Sequence, residues 1–80
     1  MPDSEKKIYY DILSKSWIAF AKNRPYPEYS DEWWNELLAE MDSIRESYQC
    51  TEFFGFASKI TFEMQEEHER RQKGWRNVTI

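Results

Sequence analysis

One stretch limits the folds open to this chain more than any other. Residues 30–48 read SDEWWNELLAEMDSIRESY. At about 100° per residue of helix, Trp33, Trp34, Leu37, Leu38, Met41, Ile44 and Tyr48 fall on one side. Glu32, Glu36, Glu40, Asp42 and Glu46 fall on the other, with Ala39, Ser43 and Ser47 between. One face needs a core and the opposite face is a strip of carboxylates. Ser30 is placed to cap this helix, and Asp31 and Glu32 complement the dipole in its first turn. Tyr29 and Trp34 have the spacing of a hydrophobic staple.

A second helix is expected upstream, from about residue 4 to 22, capped by Asp3 or Ser4. Its broad apolar face carries Ile8, Tyr9, Ile12, Leu13, Ser16, Ala19 and Phe20. Tyr10, Trp17 and Ile18 lie at or beyond the edge of that arc. A stripe this wide reads as packing on two helices at once, the alternative being an exposed contact patch. Asn23 to Tyr29 breaks the pattern: Pro25 and Pro27 forbid helix and favour an extended linker. A third helix, about 52–73 with Thr51 as cap, turns Phe53, Phe56, Ala57, Ile60 and Met64 inward, with His68 at the edge of that face and in contact with water. Gly74 stops it, and residues 75–80 read as a short extended tail. The expected fold is all-α, a small three-helix bundle with helices near 4–22, 30–48 and 52–73, forming a single helical domain over residues 1–80.

Eighty residues can bury only about 60% of the unfolded surface. Four Trp, five Tyr and five Phe offset that, since each aromatic buries roughly 150–250 Å². With Cys50 as the one cysteine no bridge forms within the chain, which suits a reducing, cytoplasmic setting. No apolar run approaches a membrane span and MPDSEKK is no signal peptide, so no membrane partner is expected.

Catalytic chemistry finds no constellation. His68 and Cys50 stand too far apart along a helix to form a thiolate–imidazole pair. Gln65, three residues before His68, breaks the Glu-x-x-His pattern of a bundle metal site. Gly55 and Gly74 make no phosphate loop. Catalytic residues, metal ligands and cofactors are therefore expected to be none. Direct nucleic-acid binding is disfavoured by the acids of helix two, although Arg70, Arg71, Lys73 and Arg76 leave a weak route through the end of helix three.

The charge distribution carries the functional expectation. Residues 25–52 hold eight acids and one base, Arg45. Neighbouring carboxylates on helix two repel by a few tenths of a kcal/mol per pair, which makes most sense if something basic meets them, in the same chain or in a partner. The expected protein is a small acidic, non-enzymatic binding protein, an inhibitor or adaptor. It would dock Glu32, Glu36, Glu40, Asp42 and Glu46 on a basic surface of a larger protein, such as one that holds nucleic acid. Trp17, Tyr26, Phe54, Phe62 and Trp75 are the candidate exposed aromatics, and all but Tyr26 are assigned to the binding surface. In size and design such a protein resembles the small inhibitors that mobile elements use against host defence, such as anti-CRISPR proteins. The likeness is one of class, carried by no family motif. Exchanging Glu36 and Glu40 for lysine is then expected to abolish partner capture and leave the fold intact. The alternative is a self-associating structural or regulatory module, in which the off-face aromatics bury one another in a homodimer.

Overall fold

The computed structural model describes residues 1–74, and the expected extended tail, Trp75 included, lies outside them. Three helices pack on one another: α1 Asp3–Ala21, α2 Asp31–Ser47 and α3 Phe54–Gln72. Each contacts both others, so the fold is an all-α three-helix bundle. No helix among the described residues is long and apolar enough to cross a membrane.

The helix ends follow local chemistry, with two corrections. Ser30 Oγ accepts from the Trp33 N–H at 3.3 Å, and the Tyr29 and Trp34 rings stack at 5.7 Å, so the α2 cap and staple form as expected. For α1, however, Asp3 is already helical and Pro2 occupies the cap position. Pro2 has a rigid extended backbone but no side-chain acceptor. Thr51 serves the turn before α3 instead of capping it: its Oγ1 accepts from the Phe53 N–H at 3.2 Å. Gly55 sits in the first turn of α3, and a Cβ built there meets nothing within 4 Å. With no packing reason for glycine, Gly55→Ala is expected to stabilise the protein by about 0.5–1 kcal/mol. A urea melt that shows no rise in midpoint would contradict this.

The core is centred on α2. Trp33, Leu37, Met41 and Ile44 are buried there in one cluster with Ala19 of α1, and Phe20, Tyr29, Trp34 and Met64 pack against it. Ile12 of α1 and Ala57 of α3 are also fully buried. Leu38, expected in the apolar face, is 37% exposed. The inward face of α3 is rotated from the expected one: Ala57, Thr61 and His68 are buried, while Phe53, Phe56, Ile60 and Met64 are only partly covered.

His68 is the largest departure in the core, at 6% exposed. Its Nε2 lies 2.8 Å from the Phe20 carbonyl. A carbonyl can only accept, so Nε2 carries the proton and Nδ1 accepts from the Tyr29 hydroxyl at 3.1 Å. Rings of Phe20, Tyr29 and Trp33 surround the imidazole at centroid distances of 4.4, 5.6 and 4.8 Å. One side chain thus joins the end of α1, the linker, the start of α2 and α3. Burial holds its pKa below the ordinary histidine value.

The other end of the bundle is tied by Tyr48, whose hydroxyl donates to Asp11 of α1. That bond pushes the tyrosine up to about 12 and draws Asp11 below the usual carboxylate range.

Candidate partner-binding surface

The five acids nominated on α2 do not form one free strip. Glu36 and Glu40 face Lys22 and Arg24, bases from outside the helix. Lys22 Nζ lies 3.4 Å from Glu36 Oε1 and 2.8 Å from Glu40 Oε2. Arg24, whose side chain is fully buried, pairs with Glu40, and its Nε lies 3.3 Å from Glu36 Oε1. That last contact is close enough for an ion pair but too far out of line for a hydrogen bond. Asp42 pairs with Arg45. Three of the five carboxylates are therefore answered within the chain, which removes most of the self-repulsion that suggested a basic visitor. Glu32 and Glu46 make no ion pair among the described residues.

Arg24 owes its position to the break in the chain. Pro25 keeps Arg24 out of helix, α1 ends at Ala21 with no base in its last turn, and the guanidinium folds back to fill that role. Its Nη2 donates to the Ala19 carbonyl at 3.0 Å, and its Cζ sits 5.2 Å from the Trp33 ring centroid. A C-terminal carbonyl, an aromatic face and two carboxylates are the partners a buried guanidinium requires.

Four of the nominated residues do converge, in a groove of about 350 Å³ between α2 and α3. Asp42 and Glu46, four apart, form its α2 wall. Phe54 and Phe62, two helical turns apart, form its α3 wall with Ser58 between them. The rings are 40% and 50% exposed. Beneath them Arg45 is held on several sides: Nη1 donates to Thr61 Oγ1 at 2.7 Å and to Gln65 Oε1 at 2.9 Å, and Nη2 donates to Asp42. Its Cζ lies 4.2 Å from the Phe62 centroid. The cation thus supports the Phe62 ring from one side and leaves the other side open. Because Asp42 balances Arg45, the rim keeps the charge of Glu46.

The remaining nominees lie elsewhere. Trp17 is on the outward side of α1, 59% exposed, with its ring 5.9 Å from Phe20. Glu32 is in the first turn of α2. Trp75 is outside the described residues. Tyr26 is exposed, as expected. At the basic end of α3, Arg70 pairs with Glu67 at 2.8 Å and faces Glu63 at 3.9 Å. Cys50 is exposed in the α2–α3 turn, whereas His68 is enclosed by residues from the α1–α2 end of the bundle.

Comparison with family models, with curated proteins and with solved structures finds no match to this chain.

Proposed function

We propose that this protein is a non-enzymatic binding module that docks on a basic surface of a larger protein, an inhibitor or adaptor, through the α2–α3 groove. The observation that supports this reading is the meeting of Phe54, Phe62, Asp42 and Glu46 in one place. A half-exposed aromatic ring backed by a held cation, as Phe62 is by Arg45, loses little entropy on binding and anchors an interface well. A carboxylate on the rim selects a cation near an apolar centre and speeds the encounter. The surface is smaller than the full carboxylate strip: Glu36 and Glu40 act in the fold, Asp42 holds Arg45, and Glu46 carries the recognition.

Affinity capture from the native cell tests this, with immobilised wild type beside Phe62→Ser and Glu46→Lys. Glu46→Lys lies at an exposed position without an ion-pair partner among the described residues and should preserve helix content and melting. Phe62→Ser should keep helix content and lower the melting point slightly, because it uncovers Arg45. The expected result is one protein retained by wild type, lost by at least tenfold on either variant, and released by salt. Retention of the same protein by both variants would refute the groove, and a captured surface without lysine or arginine would refute the electrostatic reading.

A further inference from the structure

The outward side of α1 is apolar for no reason that the bundle supplies. Ile12, Ser16 and Ala19 are the buried residues of this helix. Tyr10, Trp17 and Ile18 point away from them and remain 73%, 59% and 63% exposed, with Leu13 at 43%. Their summed exposed area is on the order of 450 Å², as large as the largest apolar patch of an ordinary monomer.

The spacing of this face is regular. Lys7, Tyr10, Ser14, Trp17 and Ala21 follow one another in steps of three and four residues, the seam of a two-helix coiled coil. Residue size alternates along it: large Tyr10, small Ser14, large Trp17, small Ala21. From residue 8 to residue 21 the seam holds no charged side chain, so covering it strips water from no ion. On the flank, Lys15 is already paired with Asp11 at 3.1 Å.

We infer that this face binds a second copy of the chain, α1 against α1, in the antiparallel direction. Size complementarity sets the direction. With the copies antiparallel and Tyr10 opposite Ala21 of the second copy, Trp17 falls opposite Ser14. Each large side chain then meets a small one, twice over by symmetry. A parallel pair would set Trp17 against Trp17 and Tyr10 against Tyr10, with gaps between. Antiparallel helix dipoles also attract. Fully covered, two such patches bury roughly 900 Å² in total, below the roughly 1,200 Å² of a stable specific interface, so the dimer is weak and exchanges readily. The α2–α3 groove lies across the bundle from this seam. A dimer therefore leaves both grooves open, and the inference does not depend on what the groove binds.

Sedimentation equilibrium of the full chain, from low micromolar to near millimolar concentration, tests it. Wild type should rise from 9.8 kDa toward twice that mass. Trp17→Glu and Ala21→Trp should stay monomeric with unchanged helix content, the second because it fills the space meant for Tyr10. Phe62→Glu, in the groove, should dimerise like wild type. A wild type that stays monomeric throughout, a dimer indifferent to Ala21→Trp, or one lost with Phe62→Glu would each overturn the inference. Direction is read by oxidation on a Cys50→Ser background. Chains with Tyr10→Cys should join chains with Ala21→Cys, and neither should join itself. Self-joining of Ala21→Cys would overturn the antiparallel pairing.

Discussion

Glu40→Lys is expected to cost about 3 kcal/mol, a large share of the roughly 4–12 kcal/mol available to a domain of this size. The change puts an ammonium against the guanidinium of Arg24, whose side chain is fully buried and cannot turn to water. Glu40 keeps 27% exposure, which holds the cost to the lower part of the range for breaking a buried pair. Loss of Arg24 from its seat also frees the Ala19 carbonyl at the end of α1 and uncovers the Trp33 face. Glu40→Gln, which keeps the shape and removes the charge, should fall between wild type and Glu40→Lys. Swapping the pair, Arg24→Glu with Glu40→Lys, should not restore stability, because a carboxylate cannot donate to Ala19. Urea unfolding of the three variants checks this. Full rescue by the swap would show that Arg24 acts only as a charge.

The same geometry limits what charge reversal can reveal about binding. A Glu36→Lys, Glu40→Lys variant looks from the sequence like a surface change, since both residues lie on the polar side of a clean helical wheel. In the structure that variant reports on folding. Of the two carboxylates in the groove, Glu46 is the one whose charge can be reversed without disturbing an ion-pair partner among the described residues, so it separates recognition from stability.

Helix number, type and approximate limits were legible because they depend on local features: the 3.6-residue period, Ser30 as cap, and two prolines at one break. The exposure of Trp17, Phe54 and Phe62 was also legible, because each falls off the apolar arc of its own helix, and that of Tyr26 because it lies between two prolines in the linker. Three polar residues were not. Arg24, Arg45 and His68 are buried through partners that lie 5 to 48 residues away in sequence. No helical wheel can show that a base after one helix will answer acids on the next. The wheel for α3 did place His68 beside the apolar face, and that neighbourhood was the available signal. Its full enclosure depends on where Phe20 and Tyr29 end up, which is settled by tertiary packing.

Removal of the His68 ring should cost about 3–5 kcal/mol in His68→Ala, which combines a cavity among aromatic rings with a Phe20 carbonyl left without its donor. His68→Phe fills the space and isolates the polar part, about 1–3 kcal/mol. Acid should act through the same residue. Burial holds the folded pKa of His68 below 6.5, with Arg71 and Arg24 opposing the proton, and the Phe20 carbonyl and Glu28 favouring it. The unfolded chain therefore binds the proton first, and stability rises with pH across this interval. The contribution is fully present above about pH 6.5 and is lost as pH falls through the folded value, at no more than about 1.4 kcal/mol per pH unit. A proton on Nδ1 would also force the Tyr29 hydroxyl to accept where it now donates. The chain has one histidine, and unfolded Asp and Glu titrate near pH 4, so the range from about 6.5 to 5 belongs to His68. Unfolding midpoints for wild type should decline over that range, whereas those of His68→Phe should stay level. A level wild-type profile would mean that the imidazole accepts its proton in place, with the aromatic box serving as a cation site.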